Sequence, residues 1–258
     1  MAELLFWPAL IAYGEAAVAY AGNARNPGVA GRFATWGVRV GWLAQTGLLA
    51  VQAARSDGFP WDTWGGVLNL LGWLVVSAYL VWGCRARYRL LGLAVMPVVV
   101  CLLVLARVGG GTEAGGATRE STLFLVLHVV FLLGAFALFT LAASLSTLYL
   151  WQERRLKQHR AGRILGRAPS LSSLDRLAAR TILVALPALT VGIVAGLLRL
   201  DRIDVDALMA VTLGAWVVYA VFVLLRYGLD VRGRRAAYVS LAGFALVAVA
   251  LLPVAHLS

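Results

Sequence analysis

The chain has 258 residues, of which 61% are hydrophobic and only 14% are charged, whereas a soluble domain has about 45–50% apolar and about 25% charged residues. This composition excludes an ordinary soluble domain, and it excludes a disordered chain because disorder requires low hydrophobicity. The net charge of +11 would suggest a nucleic-acid partner in a soluble protein. In so apolar a chain it indicates membrane topology instead, and no nucleic-acid partner is expected.

Eight segments are long and apolar enough to be transmembrane helices, for which about 20 residues suffice. In chain order they are Leu4–Ala21, Thr35–Ala53, Trp64–Trp82, Leu90–Ala106, Leu123–Leu150, Thr181–Leu198, Ala207–Leu225 and Ala236–Leu252. Most of the linkers are short, which predicts one integral-membrane domain over residues 1–258. The predicted fold class is therefore all-α, a polytopic bundle of eight transmembrane helices in the lipid bilayer.

The basic residues predict the orientation of these helices. Most of the 23 Lys and Arg residues lie in loops 1–2, 3–4, 5–6 and 7–8, and few lie in the loops between them. Because cytoplasmic loops carry the excess of Lys and Arg, these four loops are predicted to be cytoplasmic. Both termini are then extracytoplasmic, and the protein is expected in the inner (cytoplasmic) membrane of a prokaryotic-type cell.

The longest cytoplasmic loop, residues 152–180, is strongly basic. Near its end, Leu171, Leu174 and Leu177 recur every third residue, and Ser172 with Asp175 fits the S-x-x-D pattern of a helix start. This pattern predicts a short amphipathic helix on the inner membrane face.

Two stretches of the chain resemble each other in the spacing of an acid and a tryptophan. Asp62 precedes Trp73 and Asp206 precedes Trp216 by a similar number of residues. The spacing suggests two related halves of four helices each.

Two histidines are predicted to lie at the same depth. Counting about 20 residues outward from the inner anchor at Tyr149 places His128 at the outer interface, and the same count from Arg235 reaches His256. Two neutral imidazoles at one level can ligate haem iron from opposite faces. Each can equally be an interfacial histidine held by a hydrogen bond, and both interpretations stay open. His159, in the basic loop, is interpreted as solvated.

Trp61 and Trp64 lie with an acid in the outer loop that precedes the third span. Flat aromatic surface beside the bilayer suits a planar apolar ligand. Interfacial anchoring is the other interpretation, because tryptophan is enriched at both membrane surfaces.

Several stretches of the chain resemble the cytochrome c assembly proteins of the CcsA/HemX type, which are multi-span, haem-handling membrane proteins. The stretches are Gly58-Phe59-Pro60 with Trp73 and Tyr79-Leu80; Leu127-His128, Phe136-Ala137 and residues 149–157; Pro169-Ser170-Leu171 with Leu174-Asp175-Arg176-Leu177; Trp216, Tyr219-Ala220, residues 232–237 and Gly243-Phe244; and Leu252-Pro253 with His256. The likeness extends over nearly the whole chain.

The resemblance implies haem b as the cofactor, with His128 and His256 as axial ligands of the iron and with Trp61, Trp64 and Asp206 shaping the site. It also implies a role in cytochrome c maturation or haem supply, alongside other maturation or haem-biosynthesis proteins. Members that act as cytochrome synthases carry a tryptophan-rich W-x-W-D-P-K-E-T-W segment, where this chain has residues 202–210 and keeps only Asp206. An accessory haem-handling protein without catalytic residues is therefore expected, rather than a complete synthase.

One alternative belongs to another functional class. A haem-free membrane scaffold would dock a cytoplasmic protein or anionic lipid through the basic loop 152–180. A small-solute transporter is less favoured, because the chain has few polar groups within its spans and no obvious pair of broken helices.

Overall fold

A computed structural model describes residues 2–25, 30–56, 61, 63–83, 90–110, 123–158, 169–198 and 207–251. These residues form eight α-helices, which confirms the all-helical prediction. The helices are α1 (Ala2–Arg25), α2 (Ala30–Arg55), α3 (Trp64–Gly83), α4 (Leu91–Val108), α5 (Leu123–Lys157), α6 (Leu171–Leu197), α7 (Ala207–Gly228) and α8 (Arg234–Ala250).

Six of these eight helices are long and apolar enough to cross a membrane, namely all except α2 and α8. α2 contains three arginines and two glutamines, and α8 is 17 residues long as described. The glutamines of α2, Gln45 and Gln52, are buried. Their polarity therefore lowers the hydropathy of α2 without exposing an amide to lipid.

The basic loop and the start of α6 differ in detail from the sequence prediction. The amphipathic segment is not a separate short helix, because α6 runs without interruption from Leu171 to Leu197. The cap is Ser170 rather than Ser172, and its side chain accepts a hydrogen bond from the Ser173 N–H. An N-cap residue typically takes an extended backbone conformation, and Ser170 does so, with φ −62° and ψ 148°.

The helices group into two compact units, α1–α4 and α5–α8. Four helices in each unit agree with the two halves suggested by the tryptophan spacing. Within each unit every helix packs against the next, and the first packs against the fourth. The extent of these contacts follows one order in both units, being largest between the first and second helices and smallest between the second and third.

Unit 1 is held together by hydrogen bonds between buried side chains of different helices. Tyr13 of α1 donates to the Gln45 Oε1 of α2 at 2.9 Å, and Gln45 Nε2 donates to the Asn69 Oδ1 of α3 at 2.9 Å. The Tyr79 hydroxyl of α3 donates to the Tyr20 hydroxyl of α1 at 2.9 Å. These bonds satisfy polar groups that would be costly to leave unpaired in an apolar interior.

The second and third helices of unit 1 are joined by a pair of tryptophans. Trp42 of α2 donates to the Ser77 hydroxyl of α3 at 2.8 Å, and Trp73 of α3 donates to the Thr46 hydroxyl of α2 at 2.8 Å. The two indoles stack with centroids 5.8 Å apart and an interplanar angle of 18°. Large side chains thus bridge the helices that pack least closely in this unit.

Unit 2 contains an aromatic stack with a glycine packed against it. Phe139 of α5 stacks on Tyr219 of α7 with centroids 3.7 Å apart, and Gly243 of α8 lies under the same tyrosine ring. A Cβ atom at Gly243 would lie 2.8 Å from that ring, so the close contact requires glycine.

One polar cluster closes the basic end of unit 2. Asp175 of α6 forms a salt bridge with Arg226 of α7 at 2.6 Å and accepts a hydrogen bond from the Gly233 N–H at 3.0 Å. Both charged side chains are almost buried, with 13% and 10% exposed. Gly233, at φ +71°, is the N-cap of α8. Asp175 therefore joins three helices at one point.

Candidate functional site

His128 of α5 packs against two glycines of α6, Gly192 and Gly196, which we call the glycine seat. Gly192 and Gly196 are one helical turn apart, and they face Leu132 and His128 respectively. A Cβ atom at Gly192 would lie 2.9 Å from the Leu132 backbone nitrogen, and one at Gly196 would lie 2.6 Å from the His128 Nδ1. The small residues let the two helices approach closely, as small-xxx-small pairs do in membranes, and they leave room for the imidazole.

The imidazole of His128 is oriented by a backbone hydrogen bond. Its Nδ1 lies 2.7 Å from the Gly192 carbonyl oxygen. Because a carbonyl oxygen can only accept, Nδ1 must carry the proton in this bond, and in the neutral ring the lone pair is then on Nε2. Histidines that ligate metals commonly use this arrangement, in which the second nitrogen donates to a carbonyl and fixes the ring.

His128 is half-buried, and its neighbours along α5 are partly exposed. Phe124 and Val130, which flank it along the same helix, have 45% and 54% of their surface exposed. A half-buried imidazole with an oriented nitrogen and apolar surroundings can bind the metal of a flat, apolar cofactor. Sequence reasoning selected His128 but missed Gly192 and Gly196, although the G-x-x-x-G spacing was visible.

Trp64 packs inside unit 1. Its ring rests on Gly109 at the end of α4, and the adjacent Gly65 N–H donates to the Gly109 carbonyl at 3.1 Å. Thr63 caps α3, its hydroxyl accepting from the Gly66 N–H at 3.0 Å, and Trp61 is half-buried just before it. These contacts fasten the start of α3 to the end of α4. A role for either indole beside haem stays a prediction.

The remaining predicted site residues, His256 and Asp206, lie outside the described residues, as does His159. Trp61 and Trp64 belong to unit 1 and His128 belongs to unit 2, so the shared site stays a prediction. Across the described ranges, no group of three or more His, Cys, Asp or Glu side chains could hold a metal ion. Of the two proposed haem ligands, the structure describes His128 alone, and both assignments stay predictions.

The apolar helices define the class of the protein, which is a multi-pass helical membrane protein. Residues 61–258 match the Cytochrome C assembly protein family, and the chain belongs to that family. This confirms the resemblance drawn from the sequence. The match begins at Trp61, after α1 and α2.

Two curated relatives are similar to the chain. Protein HemX of Brevibacillus brevis is 28% identical over 160 residues, which cover 61% of this chain and 58% of that protein. Protein HemX of Bacillus subtilis (strain 168) is 25% identical over 217 residues, which cover 81% of this chain and 78% of that protein. No solved structure matches the chain.

Proposed function

We propose that the protein handles haem within the membrane, in cytochrome c maturation or in haem supply. All eight helices would span the inner membrane with both termini extracytoplasmic, α2 and α8 included. Family membership supports the role, and the alternation of basic loops supports the orientation. The protein would be accessory rather than a synthase, because it lacks the tryptophan-rich segment.

The hydrogen bond from His128 to Gly192 is the observation that carries this proposal. It leaves the Nε2 lone pair available for iron, so His128 would be one axial ligand of haem b. His256 would be the second ligand, with Trp61, Trp64 and Asp206 shaping the site. Haem would supply an iron centre that binds imidazole nitrogens, and the residues of this chain would bind and orient it near the extracytoplasmic face.

Absorption spectroscopy of the purified, detergent-solubilised protein tests the ligands. The unaltered protein should show the Soret band of a b-type, bis-histidine haem. His128→Ala and His256→Ala should each weaken this band, because each removes one axial ligand. His159→Ala is the matched control and should leave the band unchanged. A protein that stays colourless after addition of haem would contradict the proposal.

The glycine seat can be tested separately from the ligand. Gly196→Ala places a methyl group against the His128 ring, and loss of such outer-shell support lowers metal affinity by about 10–100-fold. Gly134→Ala is the matched control, because no atom lies within 4 Å of its added Cβ. Haem titration should show weakened binding in the first variant only. Equal affinities in both variants would show that the seat does not position a haem ligand.

A haem-free scaffold is the second candidate. Its docking surface would be the basic loop 152–180, where Arg154, Lys157, Arg176 and Arg180 are all exposed. Charge-neutralising substitutions of these four residues would then abolish function in a complementation assay, while His128→Ala and His256→Ala would not. The opposite pattern would favour the haem-binding proposal.

A further inference from the structure

Two arginines converge on one tyrosine at the basic end of unit 2. Arg234, at the start of α8, directs Nη2 and Nε to the Tyr238 hydroxyl at 3.2 Å and 3.4 Å. Arg154, at the end of α5, faces the same hydroxyl. We call Arg154, Arg234 and Tyr238 the arginine–tyrosine cluster. All three side chains are exposed.

The cluster is held in place by the packing beneath it. Gly233, just before Arg234, adopts φ +71°, and an added Cβ would lie 3.0 Å from the Tyr149 hydroxyl of α5. The Asp175 carboxylate accepts from the Gly233 N–H. The start of α8 is therefore fixed against α5, which brings the two guanidinium groups together before any ligand arrives.

The nearby acid, Glu153, acts on Arg234 but is shared with a third cation. Glu153, the carboxylate next to Arg154, is paired with Lys157 at 2.8 Å. Two guanidinium groups on one neutral phenol repel each other, and an anion between them would relieve that repulsion. Guanidinium groups match phosphate oxygens through two parallel N–H donors.

Aromatic residues around the cluster indicate that it lies at the membrane surface. Arg155 lies over the Trp151 ring with its Cζ 5.1 Å from the centroid, and Arg234 lies over the Tyr238 ring at 5.5 Å. Trp and Tyr are enriched at the headgroup level of a bilayer. At the nearby end of α7, Tyr227 and Leu229 are 58% and 73% exposed, which suits lipid better than a soluble acidic partner.

We propose that the arginine–tyrosine cluster binds the phosphate of one anionic phospholipid headgroup in the leaflet it faces. Arg154 and Arg234 would donate hydrogen bonds to the phosphate oxygens. Tyr238 would hold the two guanidinium groups at a distance from each other that fits one phosphate. This site is separate from His128 and does not depend on haem binding.

Native mass spectrometry of the full chain tests the site, after reconstitution with phosphatidylglycerol or with phosphatidylcholine. We expect one phosphatidylglycerol to be retained when bulk lipid is stripped, and phosphatidylcholine to be lost. The double variant Arg154→Gln/Arg234→Gln should bind phosphatidylglycerol about 100-fold more weakly, since each hydrogen-bonded guanidinium–phosphate contact contributes about tenfold in affinity. Tyr238→Phe keeps both charges and should bind severalfold more weakly.

The double variant Arg176→Gln/Arg180→Gln is the matched control. It removes the same charge from exposed positions one turn apart on α6, and should retain the lipid. Equal loss of lipid in this control would show that the lipid is held by diffuse electrostatic attraction. Unchanged lipid binding in Tyr238→Phe would show that the phenol does not position the two guanidinium groups. Displacement of the lipid by inorganic phosphate at constant ionic strength would identify free phosphate as the ligand. Retention by the Arg154→Gln/Arg234→Gln variant, or displacement by an acidic peptide, would likewise overturn the proposal.

Discussion

Unit 1 and unit 2 connect their second and third helices by the same hydrogen bond. In unit 1, Trp73 of α3 donates to Thr46 of α2 at 2.8 Å, and in unit 2, Trp216 of α7 donates to Thr190 of α6 at 2.9 Å. Each threonine hydroxyl also donates to the backbone carbonyl one turn earlier in its own helix. Trp73 and Trp216 are the tryptophans whose spacing suggested two halves, so an identical contact strengthens the case for an internal repeat.

The two units differ in what surrounds this shared bond. The residue one turn before Thr46 is Trp42, which stacks on Trp73 and donates to Ser77. The residue one turn before Thr190 is Leu186. Unit 2 therefore has a leucine where unit 1 has Trp42, and Trp216 has no tryptophan at that position to stack on. Side-chain hydrogen bonds between helices therefore dominate in unit 1. Unit 2 instead has the Asp175 cluster at one end, and it carries His128.

Removal of Asp175 should give the largest effect and should be confined to unit 2. Asp175→Ala leaves Arg226 almost buried without its partner, which costs about 3–5 kcal/mol. Thermal unfolding in detergent should show the loss, and hydrogen exchange should rise in α6–α8. Asp230→Asn is the matched control, because Asp230 and its partner Arg232 are mostly exposed and asparagine tolerates the positive φ of this position, so it should leave unfolding unchanged. Equally faster exchange in α1–α4 would contradict the division into two units.

Replacement of Gln45 should have an intermediate effect, confined to unit 1. Gln45→Leu removes the acceptor of the Tyr13 hydroxyl and the donor to Asn69, and such interhelical bonds contribute about 1–2 kcal/mol in membranes. Hydrogen exchange should accelerate in α1–α3. The exposed Gln158→Leu should not change it. A Gln45→Leu protein as stable as the unaltered one would show that unit 1 does not depend on its buried polar chain.

The shared tryptophan–threonine bond should give the smallest effect, and it compares the units directly. Thr46→Val and Thr190→Val each remove the acceptor of one indole N–H, at a cost of about 0.5–1.5 kcal/mol. We expect the larger cost at Thr46, because its bond is partly buried whereas that of Thr190 is exposed. Double-mutant cycles with Trp73→Phe and Trp216→Phe would measure each coupling energy. A coupling energy near zero at both sites would show that the shared hydrogen bond does not stabilise either unit.

Much of the fold could be predicted because membrane helices are recognisable from their local composition. All eight helices lie where apolar segments were predicted, and each extends beyond its predicted segment at one end at least, since helical geometry continues beyond the apolar core. The start of α6 was predicted less well. The sequence offered three serines near Pro169, and only the backbone conformation of Ser170 decides which of them is the cap.

Half of the candidate site could be predicted and half could not. His128 stood out because an imidazole at membrane depth is rare and costly. Its seat did not, because Gly192 and Gly196 acquire their role only when α6 packs against α5. The arginine–tyrosine cluster was missed for the same reason, since Arg154 and Tyr238 come together only through the packing of α5 against α8.

The sequence alone determined the membrane class, the helical content and the family, because these depend on composition, on periodicity and on motifs within single segments. The tertiary structure decided which side chains meet. It oriented His128 through a carbonyl of another helix, buried Asp175 among three helices, and showed that Trp73 and Trp216 make the same bond. These are contacts between distant segments, and close packing rather than local preference selects them.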